Sequence, residues 1–146
     1  MPRAVFRVRV HLIFSTKNRA PWIQTPLSDE LHKYLGGILS HYESSPIRIG
    51  GAADHVHALF WQGRKLAICD LVEELKKTSS KWMKTKGVPD FYWQNGYGGF
   101  EVRCDDQPLI AYIENQEEHH RKRPFDQELR ELLEKHQVQY DPKYLL

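Results

Sequence analysis

Only two cysteines, Cys69 and Cys104, occur in this chain of 146 residues, and neither has a partner at a spacing that zinc would use. Two thiols make no disulfide framework, so the disulfide-dense secreted scaffolds are excluded and a reducing compartment fits. Long hydrophobic runs are also lacking, and none approaches the ~18 residues of a membrane span. The first residues, Met1-Pro2-Arg3-Ala4-Val5-Phe6-Arg7, interleave arginine with apolar side chains and show neither the continuous apolar segment nor the small-residue cleavage site of a secretory signal. Cytoplasmic residence is the expectation. Net charge is low, +2, so a polyanionic partner would have to be met by local clusters of Lys and Arg and not by the field of the whole molecule. No internal repeat, low-complexity tract or linker divides the chain, and its length is that of one ordinary domain, which is expected to span residues 1–146.

The hydrophobic pattern supplies the elements. Phe6, Val8, Val10, Leu12 and Phe14 alternate with Arg7, Arg9 and His11, the period of a strand with one buried face. Thr25-Pro26 opens a helix in which Leu27, Leu31, Tyr34, Leu35, Ile38 and Leu39 recur at helical spacing to about Tyr42. Pro46-Ile47-Arg48-Ile49 and His55 to Trp61 read as two strands of a hairpin around Gly50-Gly51-Ala52-Ala53. A second helix is predicted from about Ala67 to Lys86, ended by Gly87-Val88-Pro89. Tyr92-Trp93 and Phe100-Glu101-Val102 flank a Gly96-Tyr97-Gly98-Gly99 turn, a third helix starts at Asp105 or Asp106 ahead of Pro108, and a short polar one runs from about Asp126 to His136. Strand, helix, strand, strand, helix, strand is the order of an α+β ferredoxin-like split βαβ fold. It predicts a central antiparallel sheet with helices on one face, plus a C-terminal helix bearing Tyr112.

Two short motifs carry chemistry. In the strand Asp54-His55-Val56-His57-Ala58-Leu59-Phe60, two histidines separated by one residue point to the same face and make a ready pair of imidazole ligands. In Tyr112-Ile113-Glu114-Asn115-Gln116, a phenol and a carboxamide four apart on a helix project side by side. Each motif alone has a plainer reading, as a hydrogen-bonded core histidine pair or as a packing tyrosine on an amphipathic helix. Together they are the parts of a metal-assisted phosphoryl transfer site. A free tyrosine has a pKa of about 10, so attack by its oxygen on a phosphodiester at neutral pH needs electrophilic help, which a divalent cation supplies.

In order along the chain, these features resemble the single-tyrosine HUH transposases of insertion sequences and their REP-associated relatives. The Asp54 to Phe60 strand is similar to the family's HUH motif and Tyr112 through Gln116 to its Tyr-x-x-x-Gln helix. Leu71 through Trp82 is similar to its basic helix and Trp93 through Phe100 to its aromatic-glycine segment. His119-His120 and Asp141-Pro142-Lys143-Tyr144-Leu145 complete a resemblance that spans nearly the whole chain. Two positions depart from it: Ala53 stands where relatives often carry proline, and Glu101 where many carry serine. The resemblance implies DNA transposition by cleavage and rejoining of single-stranded hairpin DNA. Tyr112 would be the nucleophile, leaving a 5′-phosphotyrosine and a free 3′-OH. It also implies His55, His57 and Gln116 as ligands of Mg²⁺ or Mn²⁺, and a homodimer as the active unit. The alternative is a non-catalytic or domesticated hairpin-binding protein of the same fold.

For DNA contact the candidates are Lys77, Lys81 and Lys84, an i, i+4, i+7 stripe on the second helix, with His119, His120 and Arg121 after the tyrosine helix. A solvated charged face is the other reading of that stripe. Trp93, Tyr97 and Phe100 are open to two readings, stacking on unpaired bases or packing in the core or at a dimer contact.

Overall fold

In the computed structural model, residues 4–103, 106–116, 118 and 124–140 are described. They form β1 (Arg9–Ser15), α1 (Leu27–His41), β2 (Pro46–Ala52), β3 (His55–Trp61), α2 (Ile68–Thr85), β4 (Gly98–Glu101), α3 (Asp106–Glu114) and α4 (Phe125–Lys135). The four strands pair antiparallel in the order β2-β3-β1-β4, as the split βαβ pattern requires. No helix of the described residues is long and apolar enough to cross a membrane.

Strand alternation divides the sheet into two unlike faces. Leu12 and Phe14 of β1 and Val56, Ala58 and Phe60 of β3 point to one side, where they pack with Leu31, Leu35 and Leu39 of α1 and Leu71, Val72 and Leu75 of α2. Each such Leu or Phe taken out of water contributes about 1.5–3 kcal/mol, and this layer is the main core. Trp93 belongs to it and Tyr97 packs against it. Phe100 is buried with Ile13, Phe125 and Leu129 on the other side. Of the two readings for the aromatic segment, the core position is therefore the one realised by Trp93 and Phe100.

The opposite face carries His11, Ile13 and Ser15 of β1 with His55, His57 and Leu59 of β3, all buried. Here α3 and α4 supply the cover. Their approach explains a departure from the sequence pattern, which puts a turn at Gly50-Gly51-Ala52-Ala53. Strand β2 in fact continues to Ala52 and the turn falls on Ala53-Asp54. A Cβ on Gly50 would stand 2.6 Å from the Ile113 carbonyl oxygen. Glycine here lets the backbone of α3 lie directly on the strand. Strand β1 likewise begins at Arg9 and not at Phe6, because Arg9 pairs with Trp61, the last residue of β3. Helix α3 starts at Asp106, whose carboxylate is paired with Arg9.

Candidate active site

The two histidines of β3 are fully buried beneath α3 and α4, and each is held at one ring nitrogen while the other faces the cluster. His55 Nδ1 lies 2.7 Å from Asp54 Oδ1. A carboxylate accepts, so this nitrogen carries the hydrogen, and the position for a lone pair is Nε2, turned inward. That position faces Gln116 Oε1 at 2.9 Å. The amide is turned this way with its nitrogen donating to the Tyr112 carbonyl at 3.3 Å. Two acceptors so close need a positive charge between them, a proton or a metal ion.

His57 Nδ1 is 2.8 Å from His11 Nε2, and His57 Nε2 is 3.1 Å from Glu128 Oε1 of α4. The second approach lies off the line of a hydrogen bond, and both His57 Nε2 and Glu128 Oε2 are buried with no hydrogen-bond partner. Burial holds the His57 imidazole down at about 4, so it is neutral at pH 7 and keeps a lone pair for a ligand. Burial pushes the Glu128 carboxyl up, but its partners His57 and Tyr112 outweigh that and bring it down to about 2. One ligand atom each from His55, His57 and Glu128 lie within 4.8 Å of one another. Imidazole and carboxylate atoms that converge this closely are a donor set that suits a divalent cation. This cluster can hold a metal ion.

Tyr112 reaches the same point from α3. Its hydroxyl donates to Glu128 Oε1, and its ring meets His57 edge-on with centroids 5.6 Å apart. Phe125, at the start of α4, stacks on His55 at 4.3 Å. A cavity of about 680 Å³ opens beside the cluster, with His11, Phe100, Arg103, Tyr112, Glu128 and His136 in its walls.

Residues 4–116 match the family model described as transposase IS200 like. The chain belongs to the IS200-like transposase family. Two solved structures share its fold. A proposed transposase from Deinococcus radiodurans R1 is 25% identical with a TM-score of 0.65, the match covering 80% of this chain and 96% of that one. A REP-associated tyrosine transposase, solved bound to a REP hairpin, is 14% identical with a TM-score of 0.57 over 77% of this chain and 68% of its own. No curated protein sequence matches the chain. Family membership supports an enzymatic role in DNA cleavage of the transposition type.

Within this family fold, the four residues singled out from the sequence, His55, His57, Tyr112 and Gln116, are brought together. The lysine stripe is not. Lys77 and Lys81 are exposed and Lys84 half-buried on α2, a helix that packs on the apolar face of the sheet, away from the histidines. Lys77 pairs with Glu74 at 3.0 Å and Lys84 lies 4.1 Å over the Tyr92 ring. His119, His120 and Arg121 lie outside the described residues. Glu101, where many relatives carry serine, is exposed and paired with Arg103.

Two members of the cluster escape the motif reading. Glu128 falls at i+3 from Phe125 and one before Leu129 in a helix that looks polar overall. Its place in the apolar stripe Phe125, Leu129, Leu132 was the available signal. His11 sits among apolar neighbours in the first strand, in phase with Ile13 on the side that alternation suggests is solvated.

Proposed function

We propose that this transposase cleaves and rejoins single-stranded hairpin DNA through a covalent 5′-phosphotyrosine on Tyr112, with His55, His57 and Gln116 as ligands of Mg²⁺ or Mn²⁺. The observation that carries the reading is the convergence of the Tyr112 hydroxyl with the buried ligand atoms of His55, His57 and Glu128. When bound, the cation would polarise the scissile phosphate and stabilise charge on its non-bridging oxygens. The chain's own residues do the rest. Helix α3 holds the phenol for in-line attack, the Tyr112 oxygen gives its hydrogen to solvent water and bonds to phosphorus as the bond to the 3′-oxygen breaks, and the 3′-oxygen takes a hydrogen from water and leaves as a hydroxyl. Glu128 orients the phenol by accepting its hydrogen bond; with a pKa near 2 it is a weak base, so orientation is its contribution. The phosphotyrosine conserves the energy of the broken phosphodiester, and rejoining needs no nucleotide cofactor.

Hairpin DNA is inferred from the family and from the relative that was solved on a REP hairpin. The cavity beside Tyr112 gives the strand room. Phosphate contact by Lys77, Lys81 and Lys84 would lie on the far side of the sheet and so would position DNA and not take part in cleavage. His119, His120 and Arg121, next to the tyrosine helix in sequence, are the candidates for contact nearer the site. The active unit is proposed to be a homodimer, working in the cytoplasm.

The test is incubation with labelled single-stranded hairpin DNA and Mn²⁺ or chelator, resolved on a denaturing gel, for the natural protein and Tyr112→Phe. A metal-dependent adduct that is absent from the variant supports the reading. Binding without an adduct across a varied hairpin pool would replace it with a non-catalytic hairpin-binding protein.

A further inference from the structure

Strand β1 brings a third buried histidine to the site. His11 is 3% exposed and His57 0% exposed. Their rings are inclined by only 24° with centroids 5.1 Å apart, and their near nitrogens, His11 Nε2 and His57 Nδ1, are 2.8 Å apart. One hydrogen is shared between two nitrogens, so one ring donates and the other accepts. The direction matters, because a neutral imidazole that donates from Nδ1 keeps its lone pair on Nε2, and one that accepts at Nδ1 carries its hydrogen on Nε2.

The surroundings of His57 decide between them. If His11 donated, the hydrogen on His57 Nε2 would need an acceptor. The nearest is Glu128 Oε1, 3.1 Å away but off the hydrogen-bond line, since Nε2 has no partner. That arrangement would turn a hydrogen toward the Glu128 carboxylate and leave His57 no lone pair on Nε2 for a cation. If His57 donates to His11, the lone pair is on Nε2, 3.1 Å from Glu128 Oε1, and a cation bound with His55 and Glu128 nearby would supply the positive charge that two such acceptors need between them. His55 is set the same way by Asp54, so each ring of the pair has its own partner holding the outer nitrogen.

We propose that His11 is a positioning residue: by accepting the Nδ1 hydrogen of His57 it fixes the tautomer and ring orientation in which His57 Nε2 can bind a divalent cation. The role rests on the metal reading of the site given above. Partners of this kind behind a ligand histidine typically matter by about ten- to a hundredfold in metal affinity.

The test uses the full chain with ¹⁵N-labelled histidine, loaded with diamagnetic Mg²⁺ for the spectra, and has two readouts. Long-range ¹H–¹⁵N spectra report which nitrogen of His57 carries the hydrogen, and calorimetry with Mn²⁺ alone reports affinity without DNA. The natural chain should show His57 protonated on Nδ1. His11→Leu should move population to the Nε2–H form and weaken Mn²⁺ binding by about ten- to a hundredfold. His11→Gln, which keeps an acceptor at similar reach, should restore most of that affinity. An Nε2–H His57 in the natural chain with Mn²⁺ binding intact overturns the role of His11 alone. No Mn²⁺ binding by the natural chain overturns the metal reading along with it. Should His11→Leu fail to fold, the tautomer in the natural chain and the affinity of His11→Gln still decide the matter.

Discussion

The two faces of one sheet differ in what their side chains ask of their neighbours. Val56, Ala58 and Phe60 turn toward α1 and α2 and need only hydrocarbon. His55 and His57, the alternate residues of that strand and its edge, turn toward α3 and α4 and meet Asp54, Gln116, His11 and Glu128. The first face is satisfied as it stands. The second keeps buried polar atoms without partners, and each of those costs stability unless something else is bound. A strand's period of two thus separates folding from chemistry at the scale of adjacent residues.

Substitutions on the two faces should therefore fail differently. His57→Ala is expected to lower metal-stimulated cleavage by more than about a hundredfold, since ligand loss exceeds the usual effect of its supporting partners, while circular dichroism shows the fold retained. Intact cleavage would remove the ligand assignment. Phe60→Ala should do the reverse. Urea unfolding should show a loss of about 3–5 kcal/mol, and whatever protein remains folded should bind Mn²⁺ as before.

Gly50→Ala sharpens the comparison because it touches neither set of side chains. The added methyl would press on the Ile113 carbonyl at 2.6 Å and shift α3, and Tyr112 and Gln116 with it. A misplacement of about 1 Å can cost up to about a hundredfold in rate, so cleavage should drop at least about tenfold with Mn²⁺ affinity changed less. Equal cleavage by this variant would show that α3 need not be seated so closely.

Acid should find the histidine face first. In the metal-free chain His57 titrates near 4 in place of 6.5 and Glu128 near 2 in place of 4.5. Both folded values are depressed, so the unfolded chain binds more protons, and stability is present above the unfolded values and lost as pH falls through the folded ones. Thermal unfolding should show stability decreasing from about pH 6.5 downward, with the decline below about pH 4.5 reduced in Glu128→Gln. A flat profile over that range would contradict the burial of these groups.

The smallest effect is expected on α2. Replacing Lys77 and Lys81 by Ala should weaken single-stranded DNA binding and lower its log–log salt slope by roughly 0.7 for each phosphate no longer neutralised, without altering cleavage of bound DNA. An unchanged slope would return the stripe to a solvated face.

Much of this was legible in the sequence, for reasons the two faces make plain. Period-two and helical patterns report burial in hydrocarbon, so β3, α1 and α2 stand within a residue or two of their predicted ends. The motif spacing put His55 with His57 and Tyr112 with Gln116. Pattern hid His11, which alternation puts on the solvent side of β1, and for Glu128 it offered only a place in the apolar stripe of α4, which reports burial and not delivery to the histidines. The hairpin turn was misplaced for a related reason. Gly50 and Gly51 look like turn residues, yet they are small because the Ile113 and His55 carbonyl oxygens press on them within the strand.

The most direct measurement is a crystal of the chain with Mn²⁺, examined for anomalous scattering. One strong peak is expected, bonded to His55 Nε2, His57 Nε2 and Gln116 Oε1, with the Tyr112 hydroxyl beside it. A peak elsewhere, or none at saturating Mn²⁺, would contradict it.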